Sequence, residues 1–356
     1  MANGEKGRAL AYVEKILSLD PILGADVIEK AKIRGWDVVV KKGEFKVGDV
    51  CVYIECDSVL PLTSWSIFLV DKNKPDKPIR LRTITLRGQR SQGLAIPLNN
   101  VFTGDRIFYI GENLTEELGI TKYDPPIPAC LAGQVWGDRP WFVIKTDEER
   151  IQNVPDLIKE IAGIRLYETV KMDGTSGSFF YKEDNFQGQD VVPFGVCSRE
   201  MWLKESDPNT FWQMARKYDL AEKMKDACAK MGGPVIVQGE VCGEGIQKNR
   251  LGIKGHELFV FNVMLVNGQK YLDYEDFMSF CGKYELQTVP VINDNLIFNG
   301  NETVDNILDM ADGLYPSGHL REGVVFRSVI ERQSAVLKGR LSFKAVSNKF
   351  LAKVNE

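Results

Sequence analysis

Four prolines fall within the twenty residues Lys122–Trp141, "KYDPPIPACLAGQVWGDRPW", and this stretch limits the fold more than any other. Proline fixes φ, lacks an amide proton and is excluded from helix interiors and central strands. The chain is therefore expected to break there, into a domain of residues 1–122, a linker 123–141 and a second domain 142–356. A length of 356 residues allows two domains with cores of their own.

Before the break the sequence reads as β. "KVGDVCVYIECDSVLP" and "FTGDRIFYIGENL" each open on a Gly-Asp turn and continue as an apolar strand. Between them, Ile79–Leu86 has the period-two pattern of a half-exposed strand. Several short strands with glycine turns predict a small β-barrel, an OB-fold in particular. Lys72–Gln92 carries seven basic residues and one acid, a local excess in a chain of net charge −4. Arg80, Arg82, Arg87 and Arg90 are thus candidates for holding a nucleic-acid backbone. A solvated hairpin tip explains the same charges and stays open at this point.

Beyond the linker, helical spacing ("VPDLIKEIAG", "NTFWQMARKYDLAEKMKDACAKM") mixes with strand runs ("PVIVQGEVCG", "HELFVFNVMLV", "REGVVFRSVI"). The expected class is α+β, dominated by antiparallel strands. No apolar run approaches the roughly 18 residues that span a bilayer. "MANGEKGRAL" lacks a signal-peptide core. The seven cysteines are an odd number without a C-x-x-C pair, and the two histidines have no ligand neighbour at i+3 or i+4. An intracellular, reducing compartment is expected, with no membrane, no zinc site and no histidine catalysis.

The chemistry concentrates in "ETVKMDGTSGSFF", Glu168–Phe180. Lys171 ends an apolar, β-branched run, and Asp173 and Gly174 follow at once. A lysine amine is a nucleophile only when unprotonated, and its ordinary pKa is about 10.4. Burial or a neighbouring cation would lower that value. Asp173 would share a face with Lys171 if the strand continued, and Gly174 would let the backbone approach a ligand closely. Three further apolar runs each carry one isolated charge, Glu240, Glu322 and Lys344. Such charges are costly unless paired or bound to a ligand. Acids and lysines gathered from several strands suit a metal-bound nucleoside triphosphate. Phe259 or Phe261 could stack on its base.

The ordered set "KMDGT", "VCSRE", "QGEVCG", "LFVFNV", "EGVVFR" and "SFKAVSNKF", preceded by "TDEERIQN", resembles the nucleotidyltransferase motifs of polynucleotide ligases and mRNA capping enzymes. The resemblance runs from Thr146 to Phe350. It implies an antiparallel-sheet-rich, ATP-grasp-like ligase core in which Lys171 becomes a lysine–AMP. Arg150, Asp173, Gly174, Arg199, Glu240, Phe261, Glu322 and Lys344 would then bind ATP. Among these, Phe261 would stack on adenine and Lys344 would engage the α-phosphate. Asp173, Glu240 and Glu322 would hold Mg²⁺ or Mn²⁺ through water. One departure stands out: the family often has a second lysine where this chain has Val346, so Lys338 or Lys349 would supply that charge.

A β domain before the core, and a chain ending soon after Lys344, resemble the RNA ligase branch of Deinococcus and Naegleria. That branch implies an ATP-dependent enzyme that seals 3′-OH/5′-phosphate nicks in duplexes with RNA on the 3′-OH side; a monomer is expected. A GTP-dependent capping-type guanylyltransferase and a non-catalytic RNA-binding protein on a ligase-like core are the alternatives.

Overall fold

The structure is a computed structural model that describes residues 9–70, 78–123, 134–182 and 193–354. The chain divides into two compact units, Met1–Pro126 with Leu351–Glu356, and Ile127–Phe350. Asp124–Gly133 of the proline-rich stretch and Lys72–Lys77 of the basic stretch lie outside the described residues.

The first unit contains β1 (Ala11–Pro21), β2 (Ile28–Ile33), β3 (Trp36–Lys41), β4 (Val50–Ile54), β5 (Ser58–Leu60), β6 (Ile79–Arg80), β7 (Ile84–Leu86), β8 (Gln89–Ser91), β9 (Leu94–Pro97) and β10 (Thr121–Lys122). β1 serves two neighbours: Ala11–Lys15 pair with β4 and Ser18–Pro21 with β2, across a register shift between Ile16 and Ser18. Such an irregularity bends a strand and strengthens its twist. The five-stranded antiparallel sheet β3-β2-β1-β4-β9 accordingly curls into an OB-like half-barrel. Val13, Val52, Ile54, Leu60, Ile96 and Leu114 pack into one buried cluster. Ile16, Ile33, Val38 and Tyr53 pack into another.

Two expectations for this unit change. The alternation that begins at Ile79 stays in register only to Leu81: Ile79 and Leu81 are buried, while Ile84 and Leu86 are exposed. The segment is therefore not one strand. β7 and β8 form a separate hairpin whose two turn residues, Arg87 and Gly88, both have positive φ (50° and 78°), as a tight two-residue turn requires. "FTGDRIFYIGENL" is a loop rather than a strand, with Ile107, Tyr109 and Ile110 exposed. Arg106 holds it by lying over Phe102 and Phe108 and pairing with Glu112.

The second unit contains β11 (Val135–Asp138), β12 (Glu149–Arg150), β13 (Arg165–Lys171), β14 (Thr175–Tyr181), β15 (Phe194–Cys197), β16 (Met201–Leu203), β17 (Val235–Gly243), β18 (His256–Leu265), β19 (Lys270–Tyr271), β20 (Val291–Ile297), β21 (Gly323–Ser328), β22 (Gln333–Ser334), β23 (Gly339–Arg340) and β24 (Ser342–Val346). They build a seven-stranded sheet, β11-β16-β15-β14-β17-β18-β19, and a five-stranded sheet, β12-β24-β21-β13-β20. β11 is an edge strand, the one strand position open to so proline-rich a stretch.

Helices Thr210–Lys217, Leu220–Met231 and Tyr274–Lys283 bury Trp212, Met214, Leu220, Met224, Phe277 and Phe280 in one cluster with Phe179, Val237 and Val260 of the seven-stranded sheet. The long helical run is cut in two by Asp219, whose φ is 50°. Asn209 caps the first piece by accepting from the amides of Phe211 and Trp212. No helix among the described residues is long and apolar enough to cross a membrane.

Candidate active site

β13 belongs to the five-stranded sheet and β14 to the seven-stranded one, so the chain crosses between sheets at Met172–Asp173–Gly174. Lys171 is the last residue before the crossing and pairs with Gly323 at the start of β21. The strand does not continue to Asp173 as the alternation argument supposed, and the acid sits instead in the turn. Gly174 is required for closeness rather than for φ. A Cβ there would lie 2.5 Å from the carbonyl oxygen of Val241, 2.6 Å from Cys242 Sγ and 2.8 Å from Glu240 Cγ. The turn thus rests directly on β17 beside Glu240.

Lys171 Nζ lies 2.7 Å from Glu322 Oε2. The backbone behind this pair is clamped by one side chain that the sequence did not single out. The buried Tyr315 hydroxyl donates to the Lys171 carbonyl at 2.8 Å and accepts from the Glu322 amide at 3.1 Å. Asp173 is buried and paired with Arg250, which also lies over the Phe350 ring at 4.9 Å. Arg250 was equally unforeseen, because nothing in "QKNRLG" marks it until the fold brings it to Asp173.

The electrostatics split the two lysines. Burial pushes Lys171 down, but Glu322 and Glu240 outweigh it and the amine ends above its ordinary value. Lys344 on β24 is pushed down to about 8 by burial, then by the charges of Lys171 and Arg150. Glu240 is pushed up to about 8, first by burial, with Glu322 and Asp173 adding like charge against the opposing pull of Lys171. Burial likewise raises Asp173. Arg150 stands beside Lys344 through the parallel β12–β24 pairing. The exposed Arg199 pairs with Asp147 at 2.7 Å and acts on Glu240 through its charge.

Phe259 and Phe261 differ because of a bulge. Gln238 faces Asn262 and Gly239 faces Val260, so Phe261 is the extra residue of β18. Phe259 is buried with Met172, Cys242 and Val289, whereas Phe261 stays half-buried, 5.8 Å from the guanidinium of Arg327. Arg327 is itself buried and donates to Glu148 at 2.9 Å. Lys338 occupies the exposed turn of the β22–β23 hairpin with φ 52°, and Lys349 pairs with Asp312 at 3.0 Å. Val346 is buried at the end of β24, opposite Gly323.

Among the described residues no three histidine, cysteine or acidic side chains converge closely enough to cage an ion by themselves. The donor set still fits a hard divalent cation. Its atoms are carboxylate oxygens, and Glu240, pushed up by burial and by other acids, is the group that a cation would hold ionised. Mg²⁺-type sites commonly combine one or two carboxylates with waters and substrate phosphates. Glu240 and Glu322 are the residues that would hold it.

In the first unit, Arg80 is engaged with Asp57 at 2.5 Å and lies over Tyr123 at 3.8 Å. Arg90 is half-buried on β8, while Arg82 and Arg87 are exposed. Two of the four candidate arginines therefore face solvent, one of them at the hairpin tip.

A family described as an OB-fold domain matches residues 10–98, and a family described as RNA ligase matches residues 164–346. The solved structure of Naegleria gruberi RNA ligase with PPi is 34% identical, with a TM-score of 0.82, covering 98% of this chain and 99% of that one. A lysine-to-alanine mutant of the same ligase with ATP and Mn is 34% identical, with a TM-score of 0.81 over 97% of this chain and 98% of that one. A glutamate-to-alanine mutant with AMP and Mn is also 34% identical, at 0.81 over 97% and 99%. No curated protein matches the chain.

Tyr315→Phe keeps the ring and removes both hydrogen bonds, leaving the Lys171 carbonyl and Glu322 amide short of a partner. The expected loss is about 1–3 kcal/mol of stability, read as a lower urea midpoint with an unchanged slope.

Proposed function

The chain belongs to the RNA ligase family, and from that premise we propose that it seals 3′-OH/5′-phosphate nicks with RNA on the 3′-OH side, through an AMP carried on Lys171. It is an ATP-dependent ligase of the kind its N. gruberi relative represents. The observation that carries the assignment of Lys171 is its position. The amine ends β13 at 2.7 Å from Glu322, with Glu240, Arg150 and Lys344 acting on it through their charges.

Three transfers make up the reaction. Lys171 Nζ, after losing its proton, attacks the α-phosphorus of ATP; a P–N bond forms and the P–O bond to pyrophosphate breaks. The AMP then passes to the 5′-phosphate of the nick and frees the lysine. Finally the 3′-OH attacks that phosphate and expels AMP. Lys344 and Arg150 stabilise the negative charge that builds on the α-phosphate, by position and electrostatics rather than covalent work. Phe261 stacks on adenine, and Arg199 and Asp173 complete the nucleotide site. Lys338, in its exposed turn, is better suited to the nucleic acid than to the α-phosphate. A divalent cation, Mg²⁺ or Mn²⁺, supplies charge that neutralises phosphate oxygens and offsets the carboxylates holding Lys171 protonated.

The OB-like unit is the nucleic-acid clamp in this reading, with Arg82 and Arg87 on the phosphate backbone. The protein acts as a monomer, in a reducing compartment that suits its free cysteines, five of the six described ones being buried.

Incubation with α-labelled ATP and Mg²⁺ or Mn²⁺ should leave label on the wild-type protein after a denaturing gel, and none on Lys171→Met. Label retained by the variant would remove Lys171 from the reaction. Sealing should vanish with it. For the clamp, Arg82→Glu with Arg87→Glu should weaken nick binding. The slope of log affinity against log salt should flatten by about 0.9 for each phosphate no longer neutralised. Self-labelling with AMP should persist. An unchanged salt slope would take the hairpin out of the interface.

A further inference from the structure

Away from the nucleotide pocket, the seven-stranded sheet carries a run of aromatic rings that the ligase reading leaves without a task. Trp141 meets Phe142 at 5.9 Å, Phe142 meets Phe180 at 5.2 Å, Phe180 meets Trp202 at 5.9 Å, and Trp202 meets Trp136 at 6.1 Å. The middle of the run is core: Phe142 and Phe180 are each 2% exposed. The ends are open, with Trp141 at 69% and Trp136 at 58%. Trp136 is the extra residue of a bulge in edge strand β11, skipped by the pairing with β16. Lysines accompany the rings: Lys204 Nζ lies 5.1 Å from the Trp136 ring and Lys182 Nζ 5.9 Å from Phe142.

The run shares a sheet face with the candidate active site. Along β14, Ser176 faces Glu240, Ser178 faces Gln238 and Phe180 faces Ile236, all on one side of the strand. Four residues of strand separate Phe180 from the Glu240 level, roughly 13 Å at 3.3 Å per residue. The segment after Trp141 follows the same line: the Ile144 carbonyl accepts from Gln238 at 2.9 Å, and Thr146 bonds Ser176 at 3.1 Å.

We propose that Trp136, Trp141 and Trp202, with Lys204, bind unpaired nucleotides of an RNA strand beside the ligase core. The open face of Trp136 beside Lys204, with the exposed Trp141, matches the bases and phosphates of a single strand, whose bases are unstacked enough to be caught. The strip of sheet between these rings and the nucleotide pocket is closed, with Phe180, Ser178 and Gln238 buried, so the rings hold the strand at a site of their own. The identity of the strand rests on the ligase reading; the stacking surface rests on the rings themselves. The protein accordingly engages RNA ends that lack a continuous complement, in addition to paired nicks.

The test compares fluorescently tagged single-stranded RNA with the fully paired duplex of the same sequence, by anisotropy on the full-length protein. Trp136→Ala with Trp141→Ala should weaken single-strand binding roughly 5- to 150-fold for each ring removed and duplex binding less than twofold. Trp136→Phe with Trp141→Phe should recover most of the affinity. Unchanged single-strand binding, or equal weakening on both ligands, overturns the proposal. So does a wild-type dimer in sedimentation that the alanine variant dissociates, since the face would then serve self-association. AMP labelling of the wild type is measured alongside: its absence overturns the ligase reading, while the binding comparison still decides the stacking surface.

Discussion

An ammonium held 2.7 Å from a carboxylate, at the point where the chain leaves one sheet for another, is the interaction on which the second unit turns. Two lysines share the pocket and are driven in opposite directions by their neighbours. Lys171 faces Glu322 and Glu240 and keeps its proton, whereas Lys344 faces Lys171 and Arg150 and is pushed down to about 8. Burial acts the same way on both, so the carboxylates decide the difference. The Lys171 amine is therefore held as its conjugate acid. Loss of negative charge around it, as cations at Glu240 and Glu322 would bring about, would favour release of that proton.

Backbone placement matters as much as charge. The crossing from β13 to β14 lies so close to β17 that position 174 tolerates no Cβ. Tyr315 ties the strand ends carrying Lys171 and Glu322 to a single hydroxyl. The neighbouring Arg321 donates to the carbonyls of Met310, Ala311 and Asp312, which fastens the other end of the same loop. Lys171 and Glu322 are thus set by hydrogen bonds within the protein, the kind of support that precise positioning needs.

Much of this was legible in the residues. The short strands with glycine turns pointed to an OB-fold, the motif order pointed to a ligase core, and Glu240, Glu322 and Lys344 are charges that the fold brings to Lys171. These signals are local, one strand and one charge at a time. What stayed hidden was relational. Arg250 and Tyr315 occupy unremarkable loops, and only the fold brings them to Asp173 and Lys171. The expected lowering of the Lys171 pKa rested on burial or a neighbouring cation, because a sequence does not say which acids will face an amine. Alternation past Leu81 looked like one strand because periodicity does not register a change of partner, which here begins a new hairpin. The apparent strand after Gly104 had apolar residues of the right type, but only its far end, Gly111–Leu114, reaches a strand, bonding β1 at Val13 and Ala11 while Ile107, Tyr109 and Ile110 stay exposed.

The bulge at Phe261 has a consequence for how this protein can change over time. Because the aromatic occupies a surplus place in β18, the ladder on either side is in register only while that surplus is kept. Loss of one residue between Leu258 and Asn262 would give a more regular sheet and still bury its apolar neighbours. The ring next to Arg327 would no longer be presented. An insertion or deletion in this strand would therefore move the Phe261 ring from its place beside Arg327 before it cost the sheet its pairing.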